Sequence, residues 1–274
     1  MRAAVLGSPI AHSLSPDLHR AAYRWLGLDW TYDAIECTQE QLPDLVRALD
    51  DTWAGLSLTM PLKAAVMPLL DDVTAGARLV GAANTVVRRD GRLLGSNTDV
   101  PGIAAALREH GSAPGPGTVA AVLGAGATAR SALAGLAELG VVEVDVYARD
   151  PLARAELGEL GAAIGIAVTG FDWTAAAEGL RRPLVVSTVP AGIADHLVLA
   201  ADGPVGTLFD VLYAPWPTPL AARWAGRGGR VVGGLDLLLH QAALQVQAMT
   251  GTAESVESLV QVMRPAGVAA LGAR

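Results

Sequence analysis

Gly124-Ala125-Gly126-Ala127-Thr128-Ala129 follows directly on an unbroken apolar run, Val119–Leu123. A buried strand that enters such a loop and leaves it as a helix can bind a dinucleotide. The first glycine permits the tight turn, the second lets backbone approach a pyrophosphate, and the small third residue allows helix–strand packing. N–H groups at the new helix start would face the phosphates. The motif is weak alone, but its surroundings support it. Arg130–Leu139 reads as a helix, Gly140 stops it, and Val142–Tyr147 reads as a second strand.

Other residues could do chemistry before and after this loop. In His12-Ser13-Leu14-Ser15-Pro16, two hydroxyls stand at a helix start and could hold an anion such as a carboxylate. The alternative is capping, with Ser15 as N-cap and Pro16 at the first helical position. Lys63 falls in the first turn of a helix opened by Pro61, where a cation opposes the helix dipole and is badly placed for stability. Asp99 either caps the next helix or faces a cleft. Tyr147-Ala148-Arg149-Asp150 ends the second strand of the dinucleotide unit. There an acidic side chain would bind a ribose 2′-hydroxyl and an arginine a 2′-phosphate. Both are present, with Arg154 one helical turn on. Asp150 weakens the phosphate reading unless it points away as the N-cap of the helix that starts at Pro151.

These residues need a scaffold. At 274 residues, with 51% hydrophobic and 17% charged side chains, the chain suits one large or two modest α/β domains with buried parallel strands. A net charge of −7 argues against nucleic acid or an anionic membrane as main partner. Cys37 is the only cysteine, and the five histidines show no metal spacing, so no metal is expected. No apolar run is long enough to span a bilayer, and the N-terminal one is too short for a signal peptide, so a cytoplasmic location is expected. Strands are expected at Ala3–Leu6, Trp30–Glu36 and Ala54–Leu58, with a capping box Thr38-x-x-Gln41 before a helix Gln41–Leu49. Two further strands, Gly81–Val87 and Arg92–Asn97, join at an Asp90-Gly91 hairpin turn. Gly111–Gly117, GSAPGPG, reads as a domain boundary. Six short strands then follow, at Thr118–Leu123, Val142–Tyr147, Ile166–Val168, Leu184–Thr188, Thr207–Val211 and Arg230–Val232, the number in a dinucleotide-binding sheet. Helices Leu235–Met249 and Glu254–Met263 close the chain.

In this order the motifs resemble the shikimate dehydrogenase family along nearly the whole chain. Gly7–Pro16 is similar to the family's G-x-P-I-x-H-S-x-S-P, Leu58–Lys63 to V-T-x-P-x-K, Gly81–Thr85 to G-A-x-N-T, and Asn97–Asp99 to N-T-D. Gly124–Ala129 is similar to the G-A-G-G-A loop. Asp210–Pro215 with Thr218–Leu220 resembles D-x-x-Y-x-P…T-x-L, and Gly234 to Ala242 resembles G-x-x-M-L-x-x-Q-A. Ser57 departs from a common Asn, Ala127 from the loop Gly, and Ala148 and Asp150 from N-R-T.

The resemblance implies an α/β protein of two domains with a central cleft. A substrate-binding domain would span 1–101, completed by 236–274, and a Rossmann-like domain 102–235. It implies reversible NADPH-dependent reduction of 3-dehydroshikimate to shikimate, on the route to chorismate and aromatic amino acids, by a monomer or homodimer. Ser13, Ser15 and Tyr213 would hold the carboxylate, and Thr59, Asn84, Asp99 and Gln241 the ring hydroxyls. Lys63 and Asp99 would form the catalytic pair. Gly124, Ala125, Gly126 and Ala127 would cradle the pyrophosphate, Arg149 would meet the 2′-phosphate, and Gly234 would lie against the cofactor. A lysine partnered by a carboxylate can protonate the alkoxide that hydride transfer builds, and a hinge would close over the substrate. The alternatives are an NAD-dependent quinate/shikimate dehydrogenase, favoured by Asp150, and a non-catalytic nucleotide-binding regulator, disfavoured by Lys63 with Asp99. A methylene-tetrahydrofolate dehydrogenase-like enzyme is disfavoured by Ser13, Ser15 and Gln241.

Overall fold

The structure, a computed structural model, describes residues 1–115, 117–200 and 205–273. In chain order the first elements are β1 (Arg2–Gly7), α1 (Ser15–Trp25), β2 (Thr31–Glu36), α2 (Leu42–Arg47), β3 (Trp53–Leu58), α3 (Leu62–Ala65), β4 (Asp72–Val73), α4 (Ala75–Val80), β5 (Thr85–Arg89) and β6 (Arg92–Ser96). Then come α5 (Asp99–Glu109), β7 (Val119–Leu123), α6 (Ala127–Glu138), β8 (Glu143–Ala148), α7 (Pro151–Ile164), β9 (Ala167–Asp172) and α8 (Ala176–Gly179). The chain finishes with β10 (Leu184–Ser187), β11 (Thr207–Asp210), α9 (Pro219–Gly226), β12 (Arg230–Gly233), α10 (Gly234–Thr250) and α11 (Val256–Gly272). These form two compact units, Met1–Thr98 with Leu238–Arg274, and Asp99–Leu237.

In the second unit the strand order is β12-β11-β10-β7-β8-β9, with every pair parallel. Numbered from β7, that is the 3-2-1-4-5-6 order of a doubly wound dinucleotide-binding sheet, whose crevice lies where the order reverses between β7 and β10. All six expected strands form. The inner strands β7 and β10 read as continuous apolar runs because both faces are covered, whereas the edge strand β9 is mostly exposed. Ala120, Val122, Val144, Val146, Val186 and Phe209 pack on one side with Ile103, Leu133 and Leu157. Ala121, Leu123, Val185 and Leu208 pack on the other with Leu220 and Trp224.

The first unit has a mixed sheet, β2-β1-β3-β5-β6-β4. β1 is parallel to β2 and β3, whereas β5 runs antiparallel to β3 and β6. The hairpin turn is at Asp90-Gly91, with φ of 52° and 75°, the left-handed pair that a two-residue hairpin needs.

Several local expectations are corrected. Ser15 is not an N-cap. It is the first residue of α1, buried, and the capping position is Leu14 without a side-chain bond. The Gly81 segment is not yet strand. Gly81 ends α4 in the left-handed conformation, and β5 begins at Thr85. Only one arm of the capping box is seen, Thr38 N–H donating to Gln41 Oε1 at 3.0 Å. The described residues of GSAPGPG lie within the second unit, where Arg230 Nη1 donates to the Gly111 carbonyl at 2.6 Å. Pro116 of that segment lies outside the described residues. The final helix continues past Met263 through Pro265. No described helix is long and apolar enough to cross a membrane.

Candidate active site

The dinucleotide loop of the second unit has the geometry its sequence requires. Gly124 adopts φ +106°, and a Cβ there would lie 2.6 Å from Thr188 Oγ1. Any side chain would therefore meet both backbone strain and a clash. Gly126 is the capping position of α6 and carries no side-chain cap, so the first-turn N–H groups are left for another acceptor. A Cβ on Gly126 would touch nothing within 4 Å; the protein's own packing does not demand this glycine, whereas a close ligand would. Ala127 begins α6, and Asp90 is the only non-glycine residue with positive φ among the described residues. The alanine is thus compatible with the loop. Gly234 has a structural cause: a Cβ there would lie 2.1 Å from the Val211 carbonyl oxygen.

At the end of β8, Asp150 caps α7, its Oδ1 accepting from Leu152 N–H at 2.9 Å. That carboxylate thus caps the helix through Oδ1. Arg149 is exposed, and no hydrogen bond or ion pair engages its guanidinium among the described residues. Arg154 turns back instead. Its guanidinium donates to the carbonyls of Ala148 and Arg149 and lies 3.5 Å from Asp172. It braces the turn rather than pairing with Arg149. These features fit a dinucleotide with a 2′-phosphate.

In the first unit, Ser13 lies on the loop before α1 and Ser15 begins that helix, and the loop is held by a residue the motifs did not single out. Glu36, at the end of β2, accepts from Ser8 Oγ at 2.6 Å and from Ile10 N–H at 2.9 Å. Ser13 Oγ accepts from Ser15 N–H at 3.3 Å. Thr59 N–H donates to the Leu6 carbonyl at 2.9 Å, and Lys63, half-buried in α3, receives Ala83 N–H on its carbonyl at 2.8 Å. The ends of β1 and β2 therefore set the backbone of the serine and threonine segments, and the segment before β5 that of the lysine.

Asn84 and Gln241 come together directly, Asn84 Nδ2 donating to Gln241 Oε1 at 3.2 Å. Asn84 Oδ1 accepts from Thr85 Oγ1 (2.8 Å), Thr98 N–H (2.8 Å) and Thr98 Oγ1 (3.1 Å). Behind them lies a buried polar cluster of Tyr32, Ser57, His19 and Gln245. Ser57, the departure from Asn, accepts from Tyr32 and donates to Gln245. Sequence reasoning missed Gln245, although its placement one helical turn from Gln241 was a usable signal.

His19 is fully buried, stacked on Tyr32 at 3.9 Å between ring centroids. Burial holds its pKa down at about 3, against an ordinary 6.5. Below about pH 6.5 the unfolded chain takes up a proton that the folded chain refuses, so stability falls as pH drops towards 3. The slope from this group is about 1.4 kcal/mol per pH unit. His19→Gln is expected to flatten the acid limb of a denaturant-derived stability profile by that amount. An unchanged limb would show that His19 does not titrate this way.

In the second unit, Asp99 is buried at the start of α5. Half-buried Tyr213 follows β11. Its loop is set by buried Asp210, which accepts from Thr218 Oγ1 at 2.7 Å and Leu212 N–H at 3.3 Å. Burial pushes the Asp210 carboxyl up.

A doubly wound sheet with this glycine loop, in a chain whose other α/β unit carries the serine and amide residues, defines a dinucleotide-binding protein of the dehydrogenase type. The chain belongs to the shikimate dehydrogenase family. A sequence model of the shikimate dehydrogenase substrate binding domain matches residues 5–86. "Shikimate dehydrogenase (NADP(+))" of Paramagnetospirillum magneticum is 40% identical over 91% of this chain and 92% of its own. The crystal structure of Mycobacterium tuberculosis shikimate dehydrogenase is 43% identical, covers 100% of this chain and 99% of its own, and superposes with a TM-score of 0.87. Shikimate 5-dehydrogenase from Thermus thermophilus, solved in complex with NADP(H) and shikimate, is 34% identical over 97% of this chain and 99% of its own, with a TM-score of 0.81.

Proposed function

We propose that this protein is a shikimate dehydrogenase, catalysing reversible NADPH-dependent reduction of 3-dehydroshikimate to shikimate on the route to chorismate and aromatic amino acids. The observation that carries this reading is likeness to NADP-dependent shikimate dehydrogenases over nine-tenths of both chains. The commitment of Asp150 to helix capping favours NADP over NAD, and so disfavours the quinate/shikimate alternative. The protein acts in the cytoplasm on small molecules, as a monomer or homodimer, and no metal takes part.

NADPH, when bound, would supply the hydride. Gly124–Ala127 and the uncapped start of α6 would hold its pyrophosphate, Arg149 its 2′-phosphate, and Gly234 would also contribute to its site. Ser13, Ser15 and Tyr213 hold the substrate carboxylate through their hydroxyls. Thr59, Asn84 and Gln241 bind ring oxygens. As the ketone oxygen gains negative charge, Lys63 gives it a proton, and Asp99 binds a ring hydroxyl and orients the ammonium. The supports for these roles are the motif positions, and for Asn84 and Gln241 also their shared hydrogen bond.

Chromatography of the product tests the substrate. With NADPH in excess, 3-dehydroshikimate is expected to give shikimate at least about tenfold faster than 3-dehydroquinate gives quinate, one misplaced ring substituent leaving buried polar groups unpaired. Faster quinate formation would overturn the assignment. Ser13→Ala with Ser15→Ala is expected to raise KM for 3-dehydroshikimate by about tenfold or more, as hydrogen bonds to a charged group are lost. An unchanged KM would remove the carboxylate role.

A further inference from the structure

We propose that Gln245 is a positioning residue for substrate recognition: acting with Thr98 N–H and the Leu238 carbonyl, and through the Thr85 hydroxyl, it holds the Asn84–Gln241 amide pair in one polarity, with the Asn84 side-chain carbonyl inward and its N–H outward. The proposal rests on the reading given under Proposed function, in which those two amides bind ring oxygens.

Backbone groups determine every hydrogen-bond direction in this cluster. Gln245 lies 3.2 Å from the Asn84 carbonyl oxygen, which only accepts, so the Gln245 atom there is the Nε2 donor. The same nitrogen donates to Thr85 Oγ1 at 3.1 Å. Having accepted, the Thr85 hydroxyl gives its own proton to Asn84 Oδ1 at 2.8 Å. Thr98 N–H, which only donates, faces the same Oδ1 at 2.8 Å. The Asn84 carbonyl is therefore the inward, saturated end of its side chain, and N–H is its outward polarity. Gln241 is pinned by the same logic. Its Nε2 donates to the Leu238 carbonyl at 3.2 Å, so its Oε1 is the atom that meets Asn84 Nδ2.

The other end of Gln245 is equally determined. With Nε2 committed, Oε1 accepts from Ser57 Oγ at 2.8 Å and from His19 Nε2 at 3.2 Å. Ser57 in turn accepts from Tyr32 OH at 2.7 Å. His19 must then carry its proton on Nε2, leaving Nδ1 to accept from Tyr23 OH at 3.4 Å. A neutral imidazole does this, and burial keeps His19 neutral. Gln245 itself is 1% exposed and Asn84 also 1%, so water cannot replace a lost partner and a reversed amide would leave two donors or two acceptors facing each other.

A side chain that merely filled space here would affect stability alone. One that sets polarity affects how an oxygen on the substrate is received. Q245L removes both ends of the amide at similar size, and Q245E keeps the acceptor end but cannot donate once ionised. We expect folded Q245L to raise KM for 3-dehydroshikimate by about tenfold or more, while KM for NADPH stays within about twofold. For Q245E, the KM ratio of variant to wild type is expected to rise with pH, because the protonated carboxyl still donates to Thr85 or the Asn84 carbonyl. If Q245L does not fold, as judged by circular dichroism, the Q245E ratio decides. A ratio flat with pH, or KM values for both substrates moving together, would overturn the inference while wild-type turnover kept the reading beneath it. Absence of wild-type turnover would remove both.

Discussion

Lys63→Ala is expected to lower kcat by about a hundredfold or more and to leave KM for 3-dehydroshikimate nearly unchanged, the signature of a proton donor whose interaction matters chiefly in the transition state. The backbone around Lys63 is anchored independently of its side chain, by Ala83 N–H on the Lys63 carbonyl and by Leu62 in the core. Truncation therefore removes the ammonium without loosening the segment. A solvent isotope effect and a pH profile distinguish loss of proton transfer from loss of binding. Undiminished kcat in the alanine variant would exclude Lys63 as the acid.

The second large effect concerns the cofactor. Arg149→Ala is expected to reduce kcat/KM for NADPH by about tenfold to a hundredfold, the range for losing charge-assisted bonds to a phosphate, and to leave that for NADH almost unaltered. The contrast depends on Asp150 being occupied as a cap, because a free carboxylate at that position would repel the 2′-phosphate and favour NADH. Asp150→Ala should therefore cost about 1 kcal/mol of stability through the lost cap, with little change in cofactor preference. A swing towards NADPH in that variant would show that the carboxylate does reach the ribose.

Much of this was legible in the residues. The second-unit strands were visible because sheets covered on both faces write continuous apolar runs, as at Val119–Leu123 and Leu184–Ser187. The glycine loop was visible because φ +106° at Gly124 admits nothing else readily. The Asp150-Pro151 cap was one of the two readings that local chemistry left open, and Leu152 N–H on Asp150 Oδ1 decides for it. What stayed hidden depended on long-range pairing. Ser15 matched a capping pattern, yet it starts the helix and is buried, with its N–H on Ser13 Oγ; the loop before it is tied to Glu36, 28 residues from Ser8 in sequence. Arg154 had the spacing of a phosphate ligand, but the Ala148 and Arg149 carbonyls beside it claim its guanidinium. Gln245 and Ser57 are separated by 188 residues in sequence and 2.8 Å in space, a juxtaposition no local pattern encodes.

The most direct measurement is the initial rate of reduced-nicotinamide oxidation, followed by absorbance with purified protein and 3-dehydroshikimate, with NADPH and NADH in parallel. Rapid oxidation of NADPH and slow oxidation of NADH is the predicted result, and assigns Arg149 its phosphate. Preference for NADH would contradict the cofactor assignment and favour the quinate/shikimate alternative. No oxidation of either, by protein that still binds nucleotide, would contradict the enzymatic account as a whole.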